Sequence, residues 1–271
     1  MAITKVVGAW PSDDEIRRIF YDEAKLLIPK IKHLYDTDFL RWYESEYGTD
    51  ELKDLVLVLL SQIDSFDDCI VVTDFTNFNW TGTSTYGLSS GDTYSVNKTS
   101  DYTEINLTTD SNSGERDIWT YYNLATSAKA IFVSATIQPP PVRCRLDVCN
   151  ADGSTFENPP DFYRLAYRIH LSNADFAILK SVSGSGASLA EEAVNLTAGV
   201  DYKTAFYIST ETGTLMAWRD SDPLVYRQYK LKANDTSITS LASVRFMLYE
   251  IRTNTTTVTR IKAPFIIAWK V

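Results

Sequence analysis

Between residues 163 and 220 the chain runs through four short stretches in which apolar and polar residues alternate, each cut off by Ser, Gly or Asn. In the first, Tyr163, Leu165, Tyr167, Ile169 and Leu171 alternate with Arg164, Ala166, Arg168 and His170. Successive side chains of a strand point to opposite faces, so the first set shares one side. A period of two sustained over several short runs predicts half-buried antiparallel strands and excludes a helical body for this part of the chain. Residues 175–182 form a less regular second run, and Gly184-Ser185-Gly186 marks a turn. Residues 201–209 put Tyr202, Thr204, Phe206 and Ile208 on one face, and 215–218 follow Thr212-Gly213 as a hairpin partner.

The same rhythm extends backward and forward. Strands are expected at 70–72, 102–107, 118–122, 130–137, 144–148 and 243–252, with 258–261 and 266–271 closing the chain as a final strand and a loop-rich segment with room for short strands at 81–93. Residues 189–196 read as a connector and 224–231 as a Tyr-rich run. Pro139-Pro140-Pro141 interrupts the pattern as an extended link.

The first 65 residues read differently. Ser12-Asp13-Asp14-Glu15 has the form of a capping box. Ile16, Ile19, Phe20, Leu27 and Ile31 recur at helical spacing, with Pro29 as a kink or stop. A second helix is expected over 38–47 before Gly48, and a third carries Leu52, Leu55, Val56, Leu59, Leu60 and Ile63. The expected organisation is therefore a small three-helix module over 1–65 and an antiparallel jelly-roll β-sandwich over 66–271, mainly β overall. A leader of this length has a thin core, so it either assembles the protein with itself or caps the sandwich.

This strand order resembles the concanavalin A-like lectin/glucanase superfamily of jelly-roll sandwiches. The resemblance is carried by residues 163–171, 176–180, the connector 189–196, 202–209 and 214–220, within about 66–271. It implies a glycan or similar ligand lying across one sheet. Retaining hydrolases of that group are similar to one another in an E-x-D-x-x-E strand, which sets a nucleophile and an acid on one face. Here Glu115-Arg116-Asp117 begins the pattern and Thr120 stands where the second glutamate belongs, so no catalytic set is assigned. A glycoside hydrolase with another carboxylate pair is the alternative.

Aromatic residues make up 13% of the chain, more than a sandwich core alone needs, which points to ring platforms for a ligand. The candidates are Trp80, Tyr86, Trp119, Tyr121 and Trp218. Six Asn-x-Ser/Thr sequons, at Asn79, Asn97, Asn106, Asn195, Asn234 and Asn254, are candidate glycosylation sites. No metal site is assigned, because Cys69, Cys144, Cys149, His33 and His170 lack ligand spacing. No cofactor is expected. Calcium in the Asp147/Asn150/Asp152 turn is the one candidate that oxygen ligands suit. Cys144 and Cys149 read either as a disulfide across a chain reversal or as buried thiols.

A net charge of −9 and a pI near 4.8 exclude a nucleic-acid surface. No apolar run approaches the ~20 residues of a membrane-spanning helix, and no signal peptide opens the sequence. Together these features predict a non-enzymatic structural or attachment protein of a virion or cell surface. It would self-assemble through 1–65 and meet a glycan or surface protein with its sandwich. A purely structural assembly subunit is a further alternative.

Overall fold

A computed structural model describes residues 69–72, 78–99, 102–155, 161–169, 175–220 and 231–269. The helical module expected over 1–65 and residues 224–230 of the Tyr-rich run at 224–231 lie outside the described residues. All fifteen elements within them are strands: β1 (Cys69–Val72), β2 (Gly82–Tyr86), β3 (Thr93–Lys98), β4 (Tyr102–Thr108), β5 (Arg116–Ala128), β6 (Ala130–Gln138), β7 (Arg143–Cys149), β8 (Phe162–Arg168), β9 (Asp175–Val182), β10 (Ser185–Ala193), β11 (Tyr202–Ser209), β12 (Thr214–Asp220), β13 (Leu231–Asn234), β14 (Leu241–Glu250) and β15 (Thr256–Trp269).

They form two antiparallel sheets. One runs β13-β12-β11-β6-β15-β4-β3, with β1 paired to the far end of β15. The other runs β10-β9-β8-β7-β14-β5-β2. Inward residues of both sheets make one apolar cluster. Ile105, Ile131, Val133, Phe206 and Ile208 come from the first sheet, and Ile118, Leu146, Leu165, Phe246 and Leu248 from the second. The period-two reading thus fixes which residue of each strand enters the core. Tyr167 reaches across the layers to hydrogen-bond Thr204 on β11, which satisfies two polar groups where water is absent. Trp80 is in this core as well, and its indole Nε1 donates to Thr103 Oγ1 at 3.1 Å.

Two local features differ from the sequence expectation. The hairpin after β9 turns at Ser183-Gly184, not at 184–186. Val182 pairs with Ser185, and both turn residues have positive φ (51° and 76°), the backbone that a two-residue hairpin with right-handed strand twist requires. The expected connector at 189–196 is largely strand. Residues Ser185–Ala193 form β10, an edge strand whose exposed pattern and two glutamates made it look like loop. The closing segments 258–261 and 266–271 belong to one final strand, β15, as the sequence suggests. Its register with β6 shifts between Lys262 and Phe265, the step that contains Pro264, and a proline without an N–H fits a ladder at such a bulge.

Cys144 and Cys149 are both buried free thiols. Five positions apart on one strand, they point to opposite faces of β7, so the disulfide reading does not hold. Burial raises both thiols, that of Cys149 to about 12.

The core contributes stability through burial on both inner faces. Phe206 on β11 is fully buried within the cluster, so Phe206→Ala is expected to cost about 3–5 kcal/mol by leaving a cavity. Chemical denaturation of the two proteins reads this as a lower midpoint with an unchanged slope.

Candidate functional site: the outward face of the seven-stranded sheet

The central strands of the seven-stranded sheet are buried on both sides. On β7, Cys144, Leu146 and Val148 enter the core, which sends Arg143, Arg145, Asp147 and Cys149 to the other face. On β8, Tyr163, Leu165 and Tyr167 point inward and Phe162, Arg164, Ala166 and Arg168 outward. On β14 the outward set is Ser243, Arg245, Met247 and Tyr249, and on β5 it is Asp117, Trp119 and Tyr121. The register aligns these into rows. Arg168, Arg143, Tyr249 and Asp117 form one, Ala166, Arg145, Met247 and Trp119 the next, and Arg164, Asp147, Arg245 and Tyr121 a third.

Five arginines therefore share one sheet face with two aspartates and four aromatic rings. This is not a solvated face. Asp117, Asp147 and Trp119 are 0% exposed, Arg245 is 2% and Arg145 is 4%. Arg143, Arg164, Arg168, Tyr121 and Tyr249 are partly exposed.

The charges are paired unequally. Arg164 holds Asp147 with two parallel bonds of 2.6 Å, Nε to Oδ1 and Nη2 to Oδ2. That geometry is the strongest form of side-chain ion pair. Arg168 pairs with Asp175 and Glu191. Arg145 Nη1 reaches Asp117 Oδ1 at a longer 3.3 Å. Arg143 and Arg145 stack on the Tyr249 ring, with their guanidinium carbons 4.6 and 4.3 Å from its centroid. Arg245 lies over Trp119 at 5.7 Å and donates to the carbonyls of Asp152 and Thr155.

Those carbonyls belong to the loop after β7, which folds over one end of the face. Trp119 Nε1 donates to Gly153 O at 2.7 Å, and Gly153 N donates to Asn123 Oδ1 at 2.8 Å. A Cβ at Gly153 would come within 2.6 Å of Tyr121 Cβ, so only glycine fits there.

Several polar atoms on this face have no partner. Asp117 Oδ2 and the Nε atoms of Arg143, Arg145 and Arg245 are buried without a hydrogen bond. Burial dominates the titration as a result. It raises the Asp117 carboxyl to about 6 against the pull of Arg145, and lowers Arg145 to about 10, with Arg164 adding like-charge repulsion. Arg143 is lowered too, by burial first and then by neighbours that include Arg168 and Arg164.

The aromatic candidates from the sequence fall in four different settings. Trp119 and Tyr121 are on this face. Trp80 is in the core, while Tyr86 ends β2 with 44% exposure. Trp218 lies on β12, and its side chain is outside the described set. The arginines were missed in the sequence. Arg-x-Arg-x-Asp at 143–147 and Arg-x-x-x-Arg at 164–168 were the available signal, but alternating charge on a strand reads as a solvated side.

Of the hydrolase-like pattern, Asp117 faces outward while Thr120 is buried on the inner side and donates to Gly82 O at 3.0 Å. The calcium candidates are separated by their own bonds. Asp147 is held by Arg164, Asn150 donates to Asp161, and Asp152 accepts from Asn123 and Ser154. Among the described residues no group of three or more His, Cys, Asp or Glu could hold a metal. Of the sequon asparagines, Asn79, Asn97, Asn195, Asn234 and Asn254 are exposed and Asn106 is half-buried on β4.

No protein-family model matches the sequence, and no curated protein is significantly similar to it. Solved structures similar to this chain include three, each at a TM-score under 0.5. Lectin II from Ulex europaeus is 7% identical, with 71% of this chain and 100% of the lectin covered and a TM-score of 0.46. A carbohydrate binding module from Bacillus subtilis is 11% identical, over 61% of this chain and 94% of the module, with a TM-score of 0.39. A sialidase is 12% identical over 73% of this chain at a TM-score of 0.45, and the chain spans only 18% of the sialidase. Among the described residues no helix is long and apolar enough to cross a membrane.

The Asp117 carboxyl gives a pH test. A carboxyl raised from 3.8 to about 6 on folding contributes stability that is complete below about 3.8 and lost as pH rises through about 6. That loss amounts to about 3 kcal/mol. Asp117→Asn is expected to lack this slope. Unfolding midpoints measured from pH 4 to 8 should therefore fall for the wild type relative to the variant as pH rises.

Proposed function

We propose that this chain is a non-enzymatic attachment or structural protein of a virion or cell surface, whose lectin-like sandwich binds a glycan through the outward face of its seven-stranded sheet. The observation that carries the reading is the concentration of guanidinium groups and aromatic rings on that one face, with donors left unpartnered. Sugars stack their C–H faces on rings and take hydrogen bonds from fixed polar groups, and this face offers both. Arg143 and Arg168, at its partly exposed row, are where a ligand meets it first. In this reading residues 1–65 assemble or anchor the protein, and the exposed sequons carry glycans where the host modifies asparagine.

The non-enzymatic part rests on the carboxylates. Retaining glycoside hydrolysis needs one carboxyl free to attack and another to give a proton. On this face Asp147 is held bidentate by Arg164, which leaves Asp117 alone. The second reading, a hydrolase with a non-standard carboxylate pair, is favoured by one observation: Asp117 has the raised pKa that suits a general acid near neutral pH.

A glycan array and a reducing-sugar assay on the same protein separate the two. Retention of a glycan without sugar release is the expected result. Sugar release that disappears in Asp117→Asn would replace the binding reading with the enzymatic one. Light scattering of the full chain over a range of concentrations tests the assembly role, for which a mass that rises with concentration is expected.

A further inference from the structure

The charge balance of the arginine face says more about the ligand. Arg143 and Arg168 are direct cross-strand partners on β7 and β8, and like charges directly opposite each other destabilise a sheet. On the same two strands Arg145 sits one row away and Arg164 two rows away. Four guanidinium groups thus meet on adjacent positions. Asp147 answers Arg164, and Asp175 with Glu191 answer Arg168 from the far side on β9 and β10. Arg145 has one long contact to a carboxyl that burial holds toward its neutral form. Arg143 and Arg245 have no carboxylate partner among the described residues. Arg145 and Arg245 are more than nine-tenths buried, and their Nε donors have no acceptor.

A buried donor without an acceptor is costly, and a buried cation without a counter-charge is more so. An oxyanion answers both at once, because two of its oxygens match the guanidinium fork with two parallel bonds. A neutral sugar hydroxyl supplies an acceptor but no charge. Tyr249 already fixes Arg143 and Arg145 by stacking, so neither loses much freedom when it closes on a ligand.

We infer that the saccharide recognised on this face is an acidic one, whose carboxylate or sulfate is received by Arg143 and Arg145 beside the Tyr249 ring. The inference rests on the glycan-binding reading above and names the chemistry of its ligand.

The test titrates the full chain calorimetrically with a sialylated trisaccharide, a heparin-type sulfated oligosaccharide, their asialo and desulfated counterparts, and polyglutamate. The sialylated and sulfated arms separate the two sources of oxyanion. At least one acidic saccharide is expected to bind about tenfold or more tighter than its neutral counterpart. Arg143→Gln, which removes no hydrogen bond or ion pair among the described residues, is expected to erase that margin while far-UV dichroism and the unfolding midpoint stay unchanged. If the variant fails to fold, the wild type still decides. Its affinity for the acidic saccharide should fall steeply between low and high salt, whereas a salt-independent affinity overturns the inference.

Equal binding of acidic and neutral saccharides overturns the inference and leaves the glycan reading standing. So does an acidic preference that survives in folded Arg143→Gln. Binding of no saccharide at all overturns the glycan reading itself. Binding of polyglutamate in place of every saccharide overturns the assignment of a sugar.

Discussion

Strand β14 is hydrogen-bonded to β5 and β7 along its length and is buried on both faces. That constraint shapes the rest of the molecule. A strand with so little face to water must give nearly every side chain a dry partner. Val244, Phe246 and Leu248 find theirs in the core between the sheets. Ser243, Arg245, Met247 and Tyr249 must find theirs on the other side, and they find arginines, aspartates, a tryptophan and the loop after β7. The two sides are stabilised by different physics. The inner side gains from apolar area removed from water, which is indifferent to direction. The outer side depends on directed bonds that are worth little unless they are all made, and some are not made.

The inner half of this arrangement was legible in the sequence. Alternation at 163–167, 131–137, 202–208 and 244–248 placed the right residues inward, because apolar residues on one side of a strand report burial directly. The outer half was not legible. Arg143, Arg145, Arg164, Arg168 and Arg245 alternate with those apolar residues just as a solvated side would, and a sequence carries no mark that says which polar face is covered. Ranking candidates by ring type had the same flaw. Trp80 and Trp119 are both almost fully buried, one in the core and one under a loop carbonyl. What separates them is which side of the sandwich each strand presents, and this depends on pairing between residues far apart in the chain. The turn at Ser183-Gly184 was misread for a more local reason. Ser183 adopts a backbone conformation that non-glycine residues rarely take.

The charge distribution bears on how the outer face can work. Residues 1–68 contain 8 Lys and Arg against 15 Asp and Glu, a net of −7, which leaves −2 of the chain's −9 for everything after them. The sandwich is close to neutral as a whole, yet it gathers five arginines on one sheet face. A molecule of net −9 does not draw anions in from a distance, since its long-range field opposes them. At physiological salt that field is screened within about 8 Å. Selection for an oxyanion must then happen at contact, through guanidinium forks held in place beforehand. Stacking on Tyr249, the carbonyls of Asp152 and Thr155, and the Arg164–Asp147 clamp are the means of holding them. Contact selection of this kind gives discrimination between an acidic ligand and its neutral counterpart without giving a fast, steered encounter. It also explains why the face can carry so much positive charge in a protein whose total charge has the opposite sign.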